Sequence, residues 1–227
     1  MPVISFVSPK GGVGKTTAAL ILATELAAKV GQQITLIDAD PNLPLSKWSL
    51  RPGMPSNMEV IADTGEATIV DSIAESRERS AFVIVDLEGV ASGRVTNAVA
   101  MSDLAIVPIQ ASLLDAEQAA RAVSLIRTTA RARGREIPYR ILFNRVGASA
   151  RIRTRNFKSI ATSMDEAGIV AFETQLADRE AYRSMFSHGG TLQSLDTATV
   201  TTIVAARANA EQFALEVIDV LRAEKAK

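Results

Sequence analysis

Residues 8–17 read SPKGGVGKTT. Gly11, Gly12, Val13 and Gly14 precede Lys15, Thr16 and Thr17, and a second lysine, Lys10, lies five positions before Lys15. Glycines let successive backbone N–H groups close around phosphate oxygens, and a helix starting at the lysine adds the partial positive charge of its N-terminus. In that setting Lys15 reaches the β- and γ-phosphates of a nucleotide such as ATP, and the Thr16 hydroxyl ligates Mg2+. A glycine-rich turn before a helix is the simpler reading. Against it, an apolar strand-like run, VISFVS (3–8), precedes the loop and a helical pattern follows over 15–30, which is the context a phosphate-binding loop requires. Pro9 stands where the common G-x-x-x-x-G-K-[ST] pattern has its first glycine.

The elements that must position this loop follow from hydrophobic periodicity. Runs at 3–8, 34–38, 58–62, 82–87, 104–109 and 139–144 are apolar on both faces and read as buried strands. Helical patterns lie between and after them at 15–30, about 65–79, 93–101, 114–133, 153–167, 178–186 and 196–224, the last with Asp196 as its N-cap. This βα alternation predicts an α/β fold, a doubly wound and mostly parallel sheet flanked by helices, in one domain spanning 1–227. Residues 41–57 hold Pro41, Pro44, Pro52 and Pro55 and read mostly as loop. The chain has 227 residues, 47% of them apolar and none of them cysteine, which excludes disulfides and thiolate metal sites and suits a reducing compartment. No signal-peptide pattern follows Met1 and no apolar run is long enough to span a membrane, so a cytoplasmic protein is expected. The net charge is zero, yet Arg131–Lys158 carries nine basic residues against one acid, Glu136.

KGGVGKT resembles the deviant Walker A motif of the ParA/MinD family of ATPases. The resemblance implies that Lys10 crosses a dimer interface to the phosphates of the partner's ATP. LIDADPN (36–42) follows the family's D-x-D-P motif, which makes Asp40 the residue that positions the attacking water and sets Asp38 close to the metal. Two carboxylates at i and i+2 leaving a strand point the same way, in keeping with one shared Mg2+–water cluster. FVIVDLEG (82–89) resembles Walker B, with Asp86 holding Mg2+, but Leu87-Glu88-Gly89 replaces the usual D-x-P-P continuation and leaves open whether Glu88 takes part. LFNRVG (142–147) occupies the place of the family's adenine-reading strand end; Asn144 can both donate to and accept from an adenine edge and Arg145 can stack on the ring, while an ordinary strand-end Asn is the plainer alternative.

Within the family the chain is similar to small stand-alone members, namely plasmid partition proteins and the ATPase of T-DNA transfer, the latter through DADPNLPLSKW (38–48) and LADREAYRSMFSHGGTL (176–192). The resemblance implies an ATP-dependent homodimer, nonspecific DNA binding, nucleoid association when ATP-bound and a ParB-like or relaxase-like activating partner. Arg151, Arg153, Arg155 and Lys158 suit phosphate contacts with DNA, and Arg179 and Arg183 would extend that surface; a solvated helix face is the alternative. The mixed-charge tail EVIDVLRAEKAK lacks the aromatic, basic character of a membrane-lying helix, so no membrane partner is expected. His188 reads as structural, and Trp48 as packing or as a dimer or partner contact. Two other functions compete with the switch: a P-loop ligase or kinase acting on a small molecule, like dethiobiotin synthetase, and a scaffold that binds ATP without turnover.

Overall fold

The structure is a computed structural model and describes residues 1–89, 92–110, 112–147, 160, 162, 164, 166–196 and 200–226. Six strands, β1 (Val3–Phe6), β2 (Ile34–Ala39), β3 (Met58–Ala62), β4 (Phe82–Leu87), β5 (Leu104–Ile109) and β6 (Tyr139–Phe143), form one sheet in the order β3-β2-β4-β1-β5-β6. Every pairing is parallel. All six strands therefore end on the same edge. From β1 the chain crosses to one side of the sheet, and from β4 it crosses β1 to the other, which opens a crevice at the end of β1.

Alternation along the strands divides the core between two faces. Ile4, Phe6, Leu36, Ile84 and Ile106 pack under α1 (Lys15–Val30), α2 (Pro44–Ser49), α6 (Glu180–His188) and α7 (Ile203–Lys225). Val3, Ile37, Val83, Val85 and Val107 pack under α3 (Ile69–Arg79), α4 (Gly93–Met101) and α5 (Leu113–Arg133). Helices thus cover both sides, which is why the strands read as continuous apolar runs.

Several bounds shift by two to four residues from the sequence reading, and two elements differ more. The proline-rich stretch holds a short helix, α2, because Pro44 sits at its first position, where a missing N–H costs nothing. The last helix begins at Ile203 rather than near Asp196, after Val200, Thr201 and Thr202; β-branched residues lose χ1 freedom in a helix, and Thr202 at the N-cap is left-handed (φ 61). Most of the pattern at 153–167 lies outside the described residues, though Ile160 and Met164 are buried against the second face.

Trp48 is a packing residue. It is 1% exposed, and its indole N–H donates to the Gly190 carbonyl at 3.1 Å, tying α2 to the turn after α6. Truncation leaves a large cavity and an orphaned carbonyl, so Trp48→Ala should lower stability by about 3–5 kcal/mol in urea denaturation. A loss below about 1 kcal/mol would show that this packing is not held in solution.

Candidate functional site

β1 delivers the chain into the crevice, and the turn before α1 is built from behind. Gly12 (φ 79) and Gly14 (φ 89) are left-handed, a conformation that an L side chain resists. A Cβ at Gly11 or Gly12 would meet open space, whereas one at Gly14 would lie 2.4 Å from Asn144 Nδ2. Val13 between them is buried and anchors the turn. Side chains then hold the loop's carbonyls. Asn144 Nδ2 donates to Val13 O (2.9 Å) and Gly14 O (3.2 Å), Arg145 Nη1 and Gln110 Nε2 donate to Gly12 O (3.0 and 3.4 Å), and Lys15 Nζ lies 3.4 Å from Lys10 O. Fixing the carbonyls fixes the peptide planes, as a loop that offers its N–H groups to an anion needs.

Asn144 and Arg145, the residues expected at an adenine ring, contact the carbonyls of the glycine-rich loop. The Asn144 amide also accepts from Arg145 N at 2.8 Å, which leaves its side chain fully engaged. Arg145 is held left-handed (φ 53), an unusual geometry for a non-glycine residue that aims its guanidinium back over Gly12.

The sheet register gathers the acids. Asp38 and Asp86 are direct neighbours across β2 and β4, and Phe6, the last residue of β1, is the next partner of Asp86. The alternation that sends Leu36 and Ile84 toward α1 sends Asp38 and Asp86 there too, where Lys15, Thr16 and Thr17 form its first turn. Both aspartates are fully buried. Burial raises the Asp86 pKa to about 7; the Thr16 side chain and the Lys15 ammonium pull it down, and Asp38 and Asp40 push it up. Neither Asp86 oxygen completes a hydrogen bond, so Thr16 favours the charged form without fully pairing it. Burial likewise raises Asp38 against its bonds from Ser46, whose N and Oγ donate to Oδ2 at 2.7 and 2.9 Å; Oδ1 has no partner. Burial lowers Lys15, opposed by Asp86 and then Asp40. Asp40 lies beyond the strand end, its Oδ1 accepting from Asn42 N and Nδ2 at 2.8 and 3.0 Å.

Buried carboxylate oxygens without partners beside a lone lysine suit a divalent cation. Among the described residues no three His, Cys, Asp or Glu side chains converge into a protein-only cage. That pattern fits Mg2+, which keeps waters and takes one or two carboxylates together with phosphate oxygens.

Glu88 has a different occupation. Its carboxylate pairs with Arg94 at 2.8 Å and accepts from Ser92 Oγ at 2.6 Å, with both charged side chains largely buried. Burial alone would raise its pKa, but Ser92 and Arg94 outweigh that and hold it low. Arg94 also donates to the Thr64 carbonyl, and a Cβ at Gly89 would come within 3.2 Å of Gly11 N. Glu88 is therefore clamped by Arg94, and Gly89 lies close against the glycine-rich loop. Lys10 extends from the loop to α5, where Nζ meets Asp115 Oδ1 at 2.7 Å. Nothing local in the sequence signals Arg94, but Asp115 ends the S-x-x-D capping pattern of Ser112–Asp115.

The basic surface is less complete. Arg151, Arg153, Arg155 and Lys158 lie outside the described residues. Arg183 is exposed but paired with Asp178, and Arg179 is half-buried beside Tyr182. Elsewhere in the basic stretch, Arg135 contacts Asp103 at 3.6 Å and Arg140 contacts Glu224 at 3.2 Å. These two arginines, with Tyr139 and Leu221, line a cavity of about 540 Å³ at the opposite edge of the sheet, remote from the phosphate loop. His188 is structural, its Nδ1 3.2 Å from the Ser184 carbonyl. No helix among the described residues is long and apolar enough to cross a membrane.

The family model described as VirC1 protein matches residues 1–225. The chain is 38% identical to the Rhizobium radiobacter protein ParA over 217 residues, 96% of each chain, and 26% identical to Rhizobium rhizogenes virC1 over 194 residues, 83% of this chain and 82% of that one. Among solved structures, a Cyanothece McdA–ATP complex matches with a TM-score of 0.75 at 15% identity, covering 96% of both chains. MinD of Pyrococcus horikoshii with Mg-ADP matches with a TM-score of 0.73 at 16% identity and 98% coverage of both. These two establish likeness of fold.

The raised Asp86 pKa sets a sign. Between the ordinary carboxylate value of 3.8 and about 7 the folded protein holds a proton that the unfolded chain has released, so stability falls as pH rises through this window. Asp86→Asn removes the penalty. Without added nucleotide its melting temperature should exceed the wild type's, by more at pH 8 than at pH 5, with a gain on the order of 4 kcal/mol above pH 7. A pH-independent difference between the two proteins would contradict the assigned burial.

Proposed function

The chain belongs to the VirC1 family, among the ParA/MinD-type ATPases, and we propose that it works as an ATP-driven switch over its whole length, 1–227. It binds Mg·ATP in the loop of residues 10–17, pairs with a second copy across the nucleotide, and in that form binds DNA nonspecifically to position or segregate it. The observation that carries the reading is a phosphate loop braced through its carbonyls beside buried, unpartnered carboxylate oxygens on Asp86 and Asp38. Thr16 and Asp86 would hold Mg2+, with Asp38 alongside, and the ion when bound offsets phosphate charge. Lys15 neutralises the β- and γ-phosphates, Asp40 orients the attacking water, and Lys10 reaches the partner's phosphates. Asn144 and Arg145 remain the adenine candidates once nucleotide competes for their contacts with the loop.

Arg151, Arg153, Arg155 and Lys158 are the proposed DNA contacts, with Arg179 and Arg183 at their margin. A ParB-like or relaxase-like partner stimulates hydrolysis, and the protein is cytoplasmic, on the nucleoid when ATP-bound. The rival reading as a small-molecule ligase or kinase needs a second substrate site beside the loop, and the cavity noted above opens at the far edge of the sheet.

Two measurements test this. Light scattering after size exclusion should show an ATP-dependent dimer for the wild type and monomer for Lys10→Ala, while Lys10→Ala still binds ATP; a normal Lys10→Ala dimer would remove the crossing lysine. Turnover should be slow and rise several-fold with DNA, an effect that weakens steeply with salt. Turnover that appears only with a small acceptor would instead support the rival enzyme.

A further inference from the structure

Lys10 and Asp115 make an unequal pair. The Asp115 side chain is 2% exposed and Lys10 is 34% exposed, so a half-open cation serves a closed carboxylate at 2.7 Å. Asp115 lies in the first turn of α5, where Ser112 accepts from its backbone N at 3.2 Å and donates to its Oδ2. Among the described residues, Lys10 and Ser112 are the side chains that contact the carboxylate. Meanwhile the Lys10 main chain is fixed among three parts: its carbonyl faces Lys15 Nζ, its N donates to Ser8 Oγ at 3.3 Å, and Gly89 lies so near that a Cβ there would come within 3.4 Å of its carbonyl carbon. With the backbone held, the reach of the side chain decides where the ammonium goes.

We propose that Asp115 is a positioning residue for Lys10, competing through its carboxylate with the phosphates of a second copy's nucleotide for one ammonium. The inference rests on the crossing role proposed for Lys10 above. In this proposal the ammonium that reaches phosphate bound in a second copy leaves the Asp115 carboxylate it contacts at 2.7 Å. Docking across the interface therefore strips Asp115 of its cation, and a buried carboxylate left unpaired is costly. The cost is bounded, because the N-terminal dipole of α5 and the Ser112 hydroxyl still stabilise the charge. The pair thus delays docking without forbidding it, and it recaptures Lys10 once phosphate contacts are lost. Dimerisation acquires a threshold in ATP.

Asp115→Asn keeps the size of the residue and its link to Ser112 while removing the charge. Acylation of lysines by an amine-reactive ester, read by mass spectrometry on protein without nucleotide, reports on the pair directly. In the wild type Lys10 should react several-fold more slowly than exposed Lys47; in Asp115→Asn the difference should largely vanish. The ATP concentration giving half-maximal dimer should fall roughly tenfold in Asp115→Asn, as expected for loss of one charge-assisted contact. Ser112→Ala weakens the cap but keeps the carboxylate, and should preserve slow Lys10 acylation. Equal reactivity of Lys10 and Lys47 in the wild type would overturn the proposal even if Asp115→Asn does not fold. So would an unchanged or higher ATP midpoint in folded Asp115→Asn. Normal dimers from Lys10→Ala would instead remove the crossing lysine itself, a failure separate from that of the pair.

Discussion

Buried charge at the ends of β1, β2 and β4 is the constraint around which the rest is arranged. Asp38 and Asp86 are held side by side by strand register, out of water, with Lys15 as the nearby cation. Burial raises the pKa of both, Asp38 raises that of Asp86 further, and carboxylates so placed cost stability. The sheet pays that cost only because α1, α2 and the strands around these residues are closely packed with apolar side chains. A site that carries such a penalty gains most from a ligand bringing positive charge, and a metal–phosphate group does so.

The phosphate loop depends on distant parts of the chain. Asn144 and Arg145 come from the end of β6, Gln110 from the end of β5, and Gly89 from the turn after β4. Each touches the loop within a span of five residues. Movement in any of these turns must be felt at the loop, and through Lys10 at α5. The largely buried Glu88–Arg94 pair fixes the residues that directly follow β4, the strand that carries Asp86. In the proposed switch, this shared contact zone is where nucleotide chemistry would meet the surface presented to a partner.

Much of this was legible in the sequence. β3, β4 and β5 coincide with the apolar runs at 58–62, 82–87 and 104–109, because strands covered on both faces leave an unbroken signal. The loop was legible from glycine spacing and from its place between strand and helix. Pairings across the fold were not. Asn144 meets Val13 over 131 residues and Lys10 meets Asp115 over 105, and no local pattern encodes such contacts. The departure from the D-x-P-P continuation left open whether Glu88 takes part in the metal site, and its ion pair with Arg94, six residues on, has no local signal in the sequence. The count of positive charge in 131–158 also overstated free cations, since Arg135, Arg140 and Arg145 all have partners within the fold.

The central claim is that residues 10–17 form a cradle for the β- and γ-phosphates, with Lys15 as its fixed cation. Calorimetric titration of ATP and of AMP, both with Mg2+, into wild type and Lys15→Ala tests it most directly. The wild type should bind ATP far more tightly than AMP, and Lys15→Ala should lose that preference, with ATP affinity falling by about a hundredfold or more. Equal affinity of the two proteins for ATP, or a wild type that does not distinguish ATP from AMP, would contradict the account.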